Sequence, residues 1–308
     1  MHASPSVWPE GTSAAPRRAP MRAHHFAAGT MCPRGRRLIQ GSGPLTDRAD
    51  IVCHCVLLEL PDRLVLVDTG LGRSDVQHPD RMSRTMRTLL QPRLSLDDTA
   101  HSRIRALGFD PRDVRDIVIT HLDFDHAGGL SDFPSARVHV YATEHDAAME
   151  RTTRMGGRRY RPAQWSHGPD WVLYETRGDA WFGFEAVREL EGLSPDILMI
   201  PLFGHTPGHC GIAFEVNGRW RLHAGDAYFF HGEIDPREPH CPPALLAYEA
   251  LMDADREARL GNQDRLRKLV LDHADRVDVF CAHDPVELAR MPKAAVARRR
   301  TERLEARR

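Results

Sequence analysis

Four polar clusters each stand just after an apolar run that reads as a strand. They are Thr120-His121-Leu122-Asp123-Phe124-Asp125-His126-Ala127-Gly128-Gly129, Gly204-His205-Thr206-Pro207-Gly208-His209, Ala224-Gly225-Asp226 and Cys281-Ala282-His283-Asp284. Strand ends gather at one edge of a sheet, so groups distant in sequence can meet there. His121 and Asp123 are two residues apart and point the same way in extended backbone. Asp125 and His126 are adjacent, so a loop can aim them at a second point nearby. Imidazole with carboxylate suits borderline first-row divalent cations such as zinc, manganese or iron. A cation held by such groups lowers the pKa of a bound water and turns it into a nucleophile. Gly128-Gly129 lets the chain approach closely without a side-chain clash. This chemistry needs no serine or cysteine nucleophile, and Cys210 and Cys281, beside the clusters, read as packing residues.

Taken in order, these residues resemble the metallo-β-lactamase-fold superfamily, in its hydrolase and lactonase branch. The likeness begins at Asp68 in Leu66-Val67-Asp68-Thr69-Gly70 and ends at His283, about two thirds of the chain. Each piece alone is a weak motif; five in series are specific. The metal-binding loop is a His-x-Asp-x-Asp-His variant, with Asp123 where the family usually has a second histidine. The resemblance implies an α/β fold, a four-layer αβ/βα sandwich of two mixed β-sheets face to face with helices outside. It implies two divalent metal ions, zinc foremost. His121, Asp123 and His205 would hold the first, Asp125, His126 and His283 the second, and Asp226 would bridge them. Asp68 would accept a proton from a ligand imidazole and fix its tautomer. A carboxylate at Asp123 is a harder donor, which turns the first site toward manganese or iron or leaves it partly empty.

The implied function is a metal-dependent hydrolase whose metal-bridging hydroxide attacks an ester-type carbonyl, foremost that of a lactone or related small ester. Asp125 would carry the proton to the leaving group while remaining a ligand. Tyr228, two residues after Asp226, is a candidate for hydrogen bonding the substrate carbonyl, although lactonases that use a phenol there space it one residue further. Trp165 and His167, in the aromatic-rich segment from Arg158 to Trp171, are candidates for substrate contact. A glyoxalase-type thioester hydrolase shares Gly-His-Thr-Pro-Gly-His and stays open. So do a non-haem iron redox enzyme of the same fold and a metal-binding protein without turnover.

The elements that must place these groups read as follows. Val52–Leu60 and Arg63–Asp68, joined by Pro61-Asp62, form a strand hairpin. A helix runs from Asp97 to about Leu107, before Gly108. Ile117–Thr120 and Arg137–Tyr141 are strands, and Thr143 to about Arg151 is helical. Residues 154–175 carry Gly, Arg, Pro, Trp and Tyr without period and read as a long loop or lid. Ile197–Leu202, Gly211–Val216 and Arg219–His223 are strands, the last two joined by the hairpin signal Asn217-Gly218. Pro242 to about Ala274 is helical with a break near Gly261-Asn262, and Val277–Cys281 is a late strand. Residues 1–20 read as a flexible leader, 21–290 as the domain and 291–308 as a basic tail.

Composition sets the bounds. The chain has 308 residues, enough for one large domain. Lys+Arg is 42 against Asp+Glu 43, which argues against a broad basic surface for nucleic acid. No window approaches ~20 uninterrupted apolar residues, so a membrane partner is not expected. The first thirty residues lack an apolar secretory stretch, and six cysteines in a chain of this size suggest a reducing, cytoplasmic setting. The expected partner is a small-molecule substrate, with a homodimer left open. The unusual count is histidine, at 18.

Overall fold

A computed structural model describes residues 21–292; the leader and most of the basic tail lie outside the described residues. In chain order the strands are β1 (Arg22–Met31), β2 (Ile51–Glu59), β3 (Leu64–Val67), β4 (Val114–Val118), β5 (Arg137–Tyr141) and β6 (Asp170–Tyr174). They continue as β7 (Asp179–Trp181), β8 (Phe184–Glu189), β9 (Ile197–Pro201), β10 (Cys210–Val216), β11 (Arg219–His223) and β12 (Val277–Phe280). β1 to β6 form one six-stranded sheet in sequence order, and a second runs β12-β11-β10-β9-β8-β7. Both sheets are mixed. β1, β2 and β3 pair antiparallel and β3 to β6 parallel. In the second, β7 to β11 pair antiparallel and β12 runs parallel to β11.

Side-chain alternation along the strands builds the layers. In β3, Val65 and Val67 enter the core between the sheets with Ile212 and Phe214 of β10. Leu64 and Leu66 face the other way, into an outer core with Ala100 and Ile104 of the helix Ala100–Ala106. β9 does the same: Ile197 and Met199 point inward, and Leu198 and Ile200 pack outward with Leu266 and Leu269 of the helix Arg256–His273. The result is helices, sheet, sheet, helices, the four-layer sandwich that the sequence implied. Each fully buried Val or Leu contributes roughly 1.5–3 kcal/mol, so both faces of both sheets are held.

β3 and β4 are parallel neighbours, β11 and β12 likewise, and β9 runs with β11 because two antiparallel steps separate them. The sheets are also tied by backbone bonds next to the clusters: Cys210 N–H donates to Thr120 O at 3.0 Å and His54 N–H to Ala282 O at 2.9 Å. Asn217 takes a left-handed φ of 56°, as a two-residue hairpin between β10 and β11 requires.

Two expectations are corrected. Residues 154–175 are not a loop throughout. Thr153 accepts from Gly156 N at 2.9 Å and starts a helix over Arg154–Arg159, and β6 pairs with β5 as the sheet edge. A Gly- and Arg-rich helix stabilised by its cap and tertiary contacts leaves no apolar period to read. The long helical region breaks at residues 253–255, not near Gly261. Asp255 accepts from Ala258 N at 3.0 Å and restarts the helix, while Gly261 sits in open space within it. β7 and β8 were not anticipated. No helix among the described residues is long and apolar enough to cross a membrane.

Candidate metal centre

The chain after β4 supplies His121, Asp123, Asp125 and His126, the last two on the short helix Phe124–Ala127. The turns after β9, β11 and β12 supply His205, Asp226 and His283. All seven side chains are buried. His121, Asp123 and His205 bring one donor atom each within 4.8 Å of one another, and Asp125, His126 and His283 do the same. Asp226 stands between these triads. Its Oδ2 is 3.3 Å from His205 Nε2 and 3.7 Å from His121 Nε2. Its Oδ1 is 3.2 Å from His126 Nε2 and 3.1 Å from His283 Nε2.

The far nitrogens of three of these rings are held from behind. Asp68, at the end of β3 with a left-handed φ of 54°, turns its carboxylate toward β4. There it accepts from Thr120 N, Thr120 Oγ1 and His126 Nδ1, each at 2.8 Å. His121 Nδ1 lies 3.0 Å from the Thr120 hydroxyl, and His283 Nδ1 donates to Val52 O at 2.7 Å. Such partners fix the tautomer, so each ring presents Nε2 inward.

The charge pattern follows. Burial alone would lift the Asp226 carboxyl, but His283, His126, His121 and His205 outweigh it and hold it well below its ordinary value. Burial is likewise outweighed at Asp123, by Arg159, His121 and His205. Asp125 is raised by burial, and burial takes His121 down to about 4. His121 Nε2 is buried with no hydrogen-bond partner. A buried polar atom left so costs about 1–3 kcal/mol, a deficit that a cation bound there would make good. Imidazoles and carboxylates converging as two triads around one shared carboxylate are a donor set that fits a pair of divalent cations.

Residues 48–283 match the metallo-β-lactamase superfamily. The chain belongs to that superfamily. It is a metallo-hydrolase. A probable metallo-hydrolase of Mycobacterium tuberculosis is 38% identical over 266 residues, covering 86% of this chain and 81% of the relative. An N-acyl homoserine lactonase of Bacillus cereus is 32% identical over 262 residues, covering 84% and 92%. Among solved structures, an N-acyl homoserine lactone hydrolase with N-hexanoyl-L-homoserine at its catalytic metal center superposes with a TM-score of 0.66 at 22% identity, over 88% of this chain and 96% of that one. A dizinc quorum-quenching lactonase superposes at 0.56 and 16% identity, over 87% and 89%. At these identities the structures establish the fold.

Other residues singled out in the sequence lie elsewhere in this metallo-β-lactamase fold. The Tyr228 ring packs in the outer core of the second sheet, and its hydroxyl donates to Glu287 Oε1 at 3.0 Å. A fully buried phenol needs such an acceptor. Trp165 packs in the outer core of the first sheet, and His167 is exposed. Neither lines the cavity of about 470 Å³ beside the cluster, whose walls include Ile39, Ile51, Phe229, Phe230, Leu245 and His283. His209 does not face that cavity: its Nδ1 donates to Leu202 O and its Nε2 accepts from Asp226 N, both at 2.8 Å, so it sets the backbone that carries Asp226. Cys210 and Cys281 are fully buried and their thiols are pushed well up by burial, as packing residues are.

Two groups had no sequence signal. Glu144 is buried and accepts from Leu122 N at 2.9 Å, Gly208 N at 3.1 Å and Tyr160 Oη at 3.2 Å, tying the loop that carries His121 to the one that carries His205. Arg159 is buried against Asp123. Neither belongs to a local motif, and only tertiary packing brings them in. Glu233, Cys241 and Glu249 form a further acidic group, but Arg259 lies 3.3 Å from Glu249 and already counters its charge.

Proposed function

We propose that this metallo-hydrolase opens small carboxylic esters, lactones foremost, with two divalent cations, zinc in the first instance. His121, Asp123 and His205 would hold one, Asp125, His126 and His283 the other, and Asp226 would join them. The observation that carries this is the placing of Asp226 between two imidazole–carboxylate triads, one of whose members, His283, lines a cavity of mixed apolar and polar walls. Relatives named N-acyl homoserine lactonases support a lactone with an acyl arm. When bound, such cations activate a water toward a pKa of ~7 and polarise a carbonyl oxygen.

The chain's own groups do the rest. Phe229, Phe230, Leu245, Ile39 and Ile51 offer apolar surface to the acyl arm, leaving the ester group toward His283. Asp125, a member of the second triad, would take a proton from the attacking water. It returns that proton to the alcohol oxygen released when the acyl–oxygen bond breaks, so water plus lactone gives one hydroxy acid. Asp68 keeps His126 in the tautomer that leaves Nε2 free. The six cysteines are free thiols, which supports a reducing, cytoplasmic setting.

The test is a panel of lactones, open esters, thioesters and phosphoesters offered to zinc-loaded protein with and without chelator. Chelator-sensitive opening of lactones is expected. Absence of such turnover on every member would remove the hydrolase reading of the site, and thioester cleavage alone would move the substrate class.

A further inference from the structure

Asp123 divides its carboxylate between two neighbours. Its Oδ2 is 3.1 Å from His205 Nε2 and 3.4 Å from His121 Nε2, inside the first triad. Its Oδ1 turns outward and faces Arg159 Nε at 3.4 Å. Arg159 is only 6% exposed and ends the helix Arg154–Arg159. A guanidinium so buried is costly unless its donors are engaged. Its Nη1 donates to His205 O at 2.6 Å and its Nη2 to Met252 O. The head group is therefore pinned by the backbone of one triad member, His205, while its charge rests on another, Asp123.

We propose that Arg159 is the positioning residue that lets Asp123 serve as a one-oxygen metal ligand in the first triad. The guanidinium stands 3.4 Å from Oδ1 as an ion pair, without a hydrogen bond to it, and balances its charge. Oδ2 is left as a single donor, so the pair offers one ligand atom and no net charge, as a neutral imidazole would. The charge count requires something of this kind. Asp123, Asp125 and Asp226 place three carboxylates around two dications, and Arg159 restores the balance that two carboxylates would give. This keeps a harder carboxylate donor inside a site otherwise made of imidazoles. The inference rests on the proposed reading of His121, Asp123 and His205 as the holders of one cation.

The experiment measures zinc per chain, by elemental analysis, in full-length protein dialysed against a graded chelator series. It compares wild type, Asp123→Asn, Asp123→His and Asp123→His combined with Arg159→Met. Wild type is expected to retain two zinc ions. Asp123→Asn and Asp123→His should each release one of them about 10–100-fold more readily, because Arg159 then faces a cation without its carboxylate. The double variant, with the buried charge removed and an imidazole supplied, should recover much of that loss. Melting temperatures of the same variants without metal are compared alongside, since a merely structural ion pair would move these as much as it moves zinc retention. Asp123→His holding both ions as firmly as wild type would overturn the inference, as would a double variant no better than Asp123→His. Asp123→Asn is nearly isosteric and decides the matter if the histidine variant does not fold: full retention of both ions overturns the proposal. A folded wild type that takes up no zinc overturns the metal-pair reading itself, and this inference falls with it.

Discussion

An imidazole is a dependable donor only when its far nitrogen is spoken for, and at His126 that service comes from Asp68. Asp68→Asn keeps the shape but loses the charge that fixes the ring. Metal affinity is expected to fall about 10–100-fold with the fold retained, read by competition with a fluorescent chelator; unchanged affinity would mean that Asp68 only closes the turn after β3. Tyr228 gives the opposite expectation. Its hydroxyl serves Glu287, so Tyr228→Phe should cost roughly 1–2 kcal/mol of stability and leave kcat nearly untouched. A fall in kcat of a hundredfold or more, with the melting temperature kept, would return the phenol to the reaction. The seven clustered donors were legible because each follows a strand end at short, fixed spacing. Arg159 and Glu144 were not, since their meaning lies in contacts with residues 36 and 22 positions away. Tyr228, Trp165 and His167 had the right chemistry near the right motifs, but side-chain direction decided their surroundings, and sequence distance does not carry direction.

At the scale of elements, one tight approach holds the loop that carries His205 in place. A Cβ at Gly208 would stand 2.2 Å from Glu144 N, which is backbone and cannot swing aside. Gly208→Ala should therefore push the loop bearing His205 away from the helix that starts at Ala142, at a cost of about 1–3 kcal/mol, and loosen zinc as well. Denaturant melts and chelator titration check both; a variant unchanged in each would show that the loop is more compliant than its packing suggests. Strands with dense β-branched and aliphatic runs, such as β2, β3, β9 and β10, could be read directly, because both faces of each are buried. The edge strands β6 and β7 are partly exposed and carry fewer such residues, so the same signal is diluted there. Helix restarts were set by caps: Asp255 and Thr153 outweighed a glycine that the eye takes for a breaker.

For the molecule as a whole, the surplus of histidine has two separate uses. One set surrounds Asp226; another is sealed between the sheets, where His25 Nδ1 and His54 Nε2 lie 2.9 Å apart against Phe280. Burial, with Arg221 and His223 adding to it, lowers His25 to about 3. A histidine depressed in the folded state adds stability above its unfolded pKa of about 6.5 and loses it as pH falls toward 3. Between pH 8 and pH 5 this group alone should cost about 2 kcal/mol. His25→Phe is expected to flatten that part of the profile in denaturant melts at the two pH values; an equal slope in both proteins would mean that His25 is protonated in the native state. The layered sandwich and the proposed cation pair would depend on one another, since the candidate ligands come from both sheets and a cation bound only to the folded chain stabilises it. Anomalous diffraction at the zinc edge from crystals of the zinc-loaded protein tests that dependence most directly. Two peaks roughly 3.5–4 Å apart, one beside each oxygen of Asp226, are expected. A fully loaded crystal with no peak within coordinating reach of His121, His126, His205 or His283 would contradict the metal-pair centre.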